Sequence, residues 1–235
     1  MRGLEEALAG EVQALGLTLP SGAMEQFRAY YALLTERNAV MDLTAVSGEE
    51  DTALRHFADS LTPLLCADFR EKRVLDLGSG AGFPGVPLKL AEPSMKLTLL
   101  DSQGKRVRFL EELCRHLGLE AECLQARGEE QARLPGYRES YDIVLSRAVA
   151  RLSLLGELCI PYLQVGGLFL AMKAADVAEE LEEARPGLGT LGARVEAVKD
   201  FTVGGTPRRI IVLRKLRPTP EGFPRKWARM VKKPL

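Results

Sequence analysis

The residues best suited to chemistry lie in "VLDLGSGAGFPGVPLKLAE", residues 74–92, where Gly78, Gly80, Gly82 and Gly85 follow an apolar run and precede a helical apolar pattern. Such a loop lets backbone approach a ligand closely and sets a helix amino end beside it. Gly80, Gly82 and Gly85 spell GxGxxG and Asp101 follows about 20 residues later, which is also the pattern of a nicotinamide dinucleotide site. Two features oppose that ligand. Asp76, at the end of the strand before the loop, is expected to face the ligand. A carboxylate there is repelled by pyrophosphate and attracted by an ammonium or sulfonium. The frame abutting the strand is DLGSGAG, with glycine at every second position, and GxGxxG is displaced toward the helix. Both features favour S-adenosylmethionine, which is cationic and carries no phosphate. Asp101, ending the next strand, would then accept hydrogen bonds from the ribose hydroxyls, a role either cofactor allows.

The elements that must position this loop follow from periodicity. From residue 72, β-rich runs recur at 73–77, 96–101, 121–126, 141–146, 166–173, 194–201 and 208–215, and helical stretches separate most of them. Alternation at this spacing predicts an α/β fold with a doubly wound, mostly parallel seven-stranded sheet of Rossmann-like type. The last two runs are joined only by "TVGGTP", which predicts an antiparallel terminal hairpin at the sheet edge. Upstream, Leu4, Leu8, Val12 and Leu15, then Met24, Phe27, Tyr31 and Leu34, then Leu54, Phe57, Leu61 and Leu64 mark three amphipathic helices. We expect residues 1–70 to form a helical cap packed on a main domain of residues 71–216, with residues 217–235 as a basic tail.

The chain has 235 residues, 46% of them hydrophobic, enough for one such core, and equal numbers of acidic and basic residues. The balance is uneven along the chain. Residues 1–70 hold five Lys/Arg against eleven Asp/Glu, and residues 176–235 hold thirteen against eight. The tail "RPTPEGFPRKWARMVKKPL" has six cations and one anion, with Phe223 and Trp227 interleaved. That composition suits a phosphate backbone and an unpaired base, or a solvated tail whose Trp tucks onto the domain. Cys66, Cys114, Cys123 and Cys159 include no close pair, so neither zinc nor a disulfide framework is expected. The amino terminus is acidic and amphipathic, and no apolar run approaches the roughly 20 residues of a membrane helix; a cytoplasmic protein is expected.

Six ordered motifs carry a specific resemblance: "DLGSGAGFPGVPLKL", "LLDSQGKRVRFLEEL", "ARGEE", "DIVLSRAVA", "GGLFLAMK" and the ending "FPRK…KKPL", with "HFADSL" upstream. From about residue 24 onward the chain resembles the RsmG (GidB) family of small-subunit ribosomal RNA methyltransferases. The resemblance implies a Rossmann-like domain using S-adenosylmethionine to methylate N-7 of a guanine in the decoding-region loop of 16S rRNA. It implies cofactor contacts at Gly78, Phe83, Gly128, Glu129 and Arg147, with Gly128 standing where the family usually has Ala or Val. The placement of these residues agrees: Gly128 and Glu129 follow the third strand at the ligand-binding edge, and Arg147 ends the fourth, where the transferred group should lie. Phe83 packs against the cofactor or belongs to the core. Lys173, ending the fifth strand, contacts rRNA phosphate or solvates the rim. His56, with Asp59 one turn on, orients substrate or caps a helix interface.

Guanine N-7 has a free lone pair and needs no general base, so the expected catalysis is positioning, with Arg147 as the candidate. Expected RNA contacts are Arg225, Lys226, Arg229, Lys232 and Lys233, together with Lys105, Arg106 and Arg108 on one helix face unless these pair with Glu111 and Glu112. On this reading, removing residues 217–235 abolishes RNA methylation and spares the cofactor. The other readings are a methyltransferase of this fold with a different RNA or small-molecule acceptor, a non-catalytic assembly factor, and a nicotinamide oxidoreductase.

Overall fold

The computed structural model describes residues 2–147, 150–173 and 177–235. Ala148 and Val149 of the fourth motif lie outside them. Helices α1 (Leu4–Ala14), α2 (Ala23–Met41) and the short α3 (Glu49–Thr52) open the chain. The expected third amphipathic helix is not one continuous α-helix. It passes from α3 through a π-helical turn, Ala53–Ala58, into α4 (Asp59–Leu61) and a 3-10 turn, Thr62–Leu65. Widened turns of this kind recur at functional sites, and this one carries His56 and lies just before Asp59.

The sheet then follows as β1 (Arg73–Leu77), α5 (Gly85–Ala91), β2 (Lys96–Asp101), α6 (Gly104–Leu117), β3 (Ala121–Gln125), α7 (Gly128–Gln131), β4 (Tyr141–Arg147), α8 (Leu152–Cys159), β5 (Leu163–Lys173), α9 (Ala178–Leu191), β6 (Ala193–Val203), β7 (Thr206–Lys215) and α10 (Trp227–Lys232). Strand order is β3-β2-β1-β4-β5-β7-β6. The first five strands are parallel, and β7 runs antiparallel between β5 and β6. Gly204 and Gly205 take φ of 54° and 73° between β6 and β7. Paired positive φ is what a two-residue hairpin turn requires, and glycine adopts it without steric cost.

Side-chain alternation along the buried strands divides the core in two. Val74, Ile143 and Leu145 join the apolar side chains of α1, α2, α5 and α6 on one face; Leu75, Leu77 and Val144 join those of α8 and α9 on the other. The amino-terminal helices therefore share one continuous core with the sheet, in which Leu8, Phe27 and Phe57 belong to the same cluster as Val74, Leu88 and Leu110. On the opposite face Met230 of α10 is fully buried in the second cluster. The strand order reverses between β1 and β4, which places a crevice at the carboxyl ends of these strands, the usual ligand site of open α/β sheets.

Candidate active site

A cavity of about 600 Å³ occupies that crevice. Its floor is the loop after β1, where Gly78, Gly80 and Gly82 take φ of 78°, 59° and 100°. Gly82 has no room for a side chain, since a Cβ would stand 2.6 Å from the Tyr30 hydroxyl. That hydroxyl donates to the Ala81 carbonyl at 2.5 Å and ties the loop to α2. Asp101 is 3% exposed and lines the cavity; its carboxylate accepts from Gly80 N at 3.0 Å and Gln103 N at 2.9 Å. Gly128 and Glu129 form the wall beyond β3, and Glu129 accepts from Arg127 Nε at 2.6 Å. The Gly128 carbonyl accepts from the Tyr162 hydroxyl at 2.7 Å, while a Cβ at position 128 would meet only Leu77, at 3.2 Å, and more distantly Leu158. A side chain there would need Leu77 to give by a few tenths of an ångström.

Asp76 stands behind the loop rather than on the cavity wall. It shares the face of Val74, opposite to the Leu75 and Leu77 face, because residues two apart on a strand point the same way. Fully buried, it accepts from Gly85 N at 2.9 Å at the start of α5, and its Oδ1 has no hydrogen-bond partner among the described residues. It does not line the cavity. Burial pushes its carboxyl up to about 7 despite the opposing Gly85 N–H bond. Asp76 therefore braces the loop from behind.

At the β4 end the site is built from residues distant in sequence. Phe83 is 5% exposed and stacks on His56, with centroids 4.4 Å apart, and on Tyr30 at 5.3 Å. The Arg147 guanidinium lies 5.0 Å from the Phe83 ring centroid on the cavity wall. It donates to Asp59 Oδ2 at 3.1 Å, to the Arg55 carbonyl at 3.3 Å and to His56 Nδ1 at 3.3 Å. A guanidinium can only donate, so Nδ1 accepts and the proton of neutral His56 sits on Nε2, 2.7 Å from Thr44 Oγ1. Burial first and the Arg147 charge second depress His56 to about 3. Asp59 Oδ1 accepts from Arg208 Nε at 3.1 Å. A second cavity, of about 470 Å³, lies on the far side of this network, bounded by Asp59, Thr62, Met172 and Arg208, and it shares His56 and Arg147 with the first.

Four cations depart from their expected places. Lys173 is 10% exposed and donates to Glu180 at 2.6 Å and the Ala150 carbonyl at 2.5 Å, so it ties β5 to α9. Arg225 is 13% exposed and makes a two-armed pair with Glu157 of α8, itself 1% exposed. It anchors the carboxyl-terminal segment. Arg106 faces Asp101 at 3.5 Å, while Glu112 pairs with Arg37 and Lys105 reaches the Met41 carbonyl. Lys226, Arg229, Lys232 and Lys233 are exposed. The segment is a docked strap: Arg133 and Arg138 bond its carbonyls, and Trp227 lines the first cavity. It is not a detachable tail, so a clean separation of RNA binding from cofactor binding by removing residues 217–235 does not fit this packing. Sequence reasoning missed Arg127, which the "ARGEE" motif had in view, and Thr44, which no spacing marked.

Residues 23–211 match the family model described as rRNA small subunit methyltransferase G. The chain belongs to this family. The Staphylococcus carnosus protein named ribosomal RNA small subunit methyltransferase G is 44% identical over 235 residues, 98% of each chain. Among solved structures, a branched-chain polyamine synthase mutein from Thermus thermophilus has a TM-score of 0.60 at 20% identity, covering 86% of this chain and 65% of its own. A SAM-dependent methyltransferase from Aquifex aeolicus has a TM-score of 0.52 at 18% identity, covering 69% and 92%. The family's Rossmann-like methyltransferase fold is thus the fold observed. No helix among the described residues is long and apolar enough to cross a membrane. Nor do the described residues form a cluster of His, Cys, Asp or Glu suited to a metal ion.

Proposed function

We propose that the protein transfers a methyl group to N-7 of an unpaired guanine in the decoding-region loop of 16S rRNA. The observation that carries this reading is the pair of cavities meeting at His56 and Arg147. One has the loop, carboxylates and size suited to a nucleoside cofactor, and the other adjoins it as an acceptor chamber. The cofactor is S-adenosylmethionine, whose sulfonium supplies an activated methyl. Gly78, Gly80 and Phe83 would hold it along the loop, Asp101 would accept from its ribose hydroxyls, and Gly128 and Glu129 would bound its base. Asp76 acts on it only through the loop.

The acceptor side needs no base. N-7 attacks with its lone pair and carries no proton, so a neutral His56 and a permanently charged Arg147 suffice. Arg147, held by Asp59, His56 and the Arg55 carbonyl, fixes the wall between the chambers. Holding nucleophile and methyl in line in this way is worth about 7–11 kcal/mol. A guanine must leave its stack to enter a chamber behind this wall, which favours a looped, unpaired target. Lys226, Arg229, Lys232 and Lys233 are the exposed cations that contact phosphate. The small subunit or an assembly intermediate of it is the partner.

The test is transfer of labelled methyl from S-adenosylmethionine to unmodified small subunits, followed by borohydride and aniline treatment, which cleaves RNA at 7-methylguanine. A single cut in the decoding-region loop is expected. Label without that cut keeps the methyltransferase and discards the N-7 assignment.

A further inference from the structure

Trp227 is the chain's single tryptophan, and the strap sets it on the cofactor cavity. Its ring lies with its centroid 5.5 Å from the Arg127 guanidinium, and Arg127 is itself fixed by Glu129 at 2.6 Å. The placement is built in. Arg225, two residues earlier, enters the buried pair with Glu157, its backbone N–H also donates to Glu157, and Met230 one turn later is fully buried. Only 38% of the Trp227 surface remains exposed. The pairing thus holds a large aromatic ring at the β3 end of the cavity, beside the residues that follow β3.

The direction of the cofactor in this cavity follows from the two chambers. Its methyl must point to the shared wall at His56 and Arg147, at the β4 end, so its purine lies at the opposite, β3 end. There it meets Trp227 and Arg127. We infer that Trp227, carried by the carboxyl-terminal strap, is a cofactor-binding residue that packs on the adenine of S-adenosylmethionine together with Arg127. This rests on the proposed cofactor placement. The strap would then contribute directly to cofactor affinity.

A lone tryptophan makes the test direct. Intrinsic emission of the intact protein is followed while S-adenosylhomocysteine, adenosine or methionine is added, with calorimetry on the same samples to report occupancy. The inference expects S-adenosylhomocysteine and adenosine to change the emission and methionine to leave it unchanged. It further expects Trp227→Ala to weaken S-adenosylhomocysteine roughly ten-fold, in the range of one aromatic–base stack, and Trp227→Phe to recover most of that loss. Heat of binding with no change of emission would overturn the role of Trp227 and leave the cofactor site standing. Equal affinity of the Ala variant would do the same. No heat and no emission change would overturn both.

Discussion

The Asp59 carboxylate grips the Arg147 guanidinium at 3.1 Å across 88 residues of sequence, joining the turn after the π-helical segment to the end of β4. Its other oxygen holds Arg208 at the same distance, so a 5% exposed carboxylate is shared by two cations. Three polar contacts then immobilise the one arginine common to both chambers.

Removing this carboxylate should separate positioning from cofactor binding. Asp59→Ala leaves two partly buried guanidiniums uncompensated, which costs about 3–5 kcal/mol of stability by the usual penalty for breaking a buried pair. Methyl transfer should fall by about 100-fold, the scale of a misplacement near 1 Å. S-adenosylhomocysteine affinity, measured by calorimetry, should stay within about three-fold. A parallel collapse of affinity and rate would place Asp59 in the cofactor site.

His56 predicts an acid-labile wall. Its folded pKa near 3 lies below the ordinary 6.5, so the unfolded chain binds a proton that the folded one refuses. The contribution to stability is whole above 6.5 and is lost progressively as pH falls toward 3. Asp76 runs the other way: with a folded pKa near 7 against 3.8, its contribution is whole below 3.8 and lost as pH rises through 7. Between these limits the two slopes oppose each other. Urea titrations of the wild type and His56→Gln from pH 7 to pH 4 should show a steeper acid loss in the wild type. Equal slopes would mean that His56 titrates normally.

The extent to which the sequence was readable depended on whether local spacing or distant partners set the outcome. The glycine loop, the seven strands and the Gly204–Gly205 hairpin are local, and each was legible. Asp76 was legible as the residue that closes β1 before the loop, but not its bond to Gly85 N, which sets it behind the loop and off the cavity wall. Lys173 and Arg225 were read as free cations because Glu180 and Glu157 become their partners only through α9 and α8. Helical spacing cannot reveal a π-turn, so the place of His56 beside Phe83 emerged only with the fold. Trp227 was read as facing an unpaired RNA base or tucked onto the domain, and its place on the wall of the first cavity emerged only with the fold.

Close packing at the start of α5 yields a paired test. A Cβ at Gly85 would stand 2.7 Å from Leu99 and 2.9 Å from the Asp76 carboxylate, both in the core. Gly85→Ala should cost about 1–3 kcal/mol, as overpacking does, and should loosen the loop that floors the first cavity. Gly189 of α9 has open space at its Cβ position, so Gly189→Ala should gain up to about 1 kcal/mol from helix propensity. Denaturant midpoints of the two variants should therefore move in opposite directions. A neutral Gly85→Ala would mean that α5 shifts freely, contrary to this packing.

The strap calls for two variants with opposite signatures. Replacing the exposed Lys226, Arg229, Lys232 and Lys233 with Gln removes four candidate phosphate contacts without touching the buried pair. RNA affinity should drop and the slope of its logarithm against log salt should shrink by roughly 3, the value for four released counterions. Stability should be nearly unchanged, since exposed charges contribute little. Arg225→Ala should do the reverse. Glu157, 1% exposed, would be left buried without its cation, at a cost of about 3–5 kcal/mol, and the salt slope of RNA binding should stay the same. The strap would also release Trp227, so S-adenosylhomocysteine should bind more weakly to this variant than to the four-Gln protein. If Arg225→Ala instead flattened the salt slope and kept its stability, the arginine would be a phosphate contact after all.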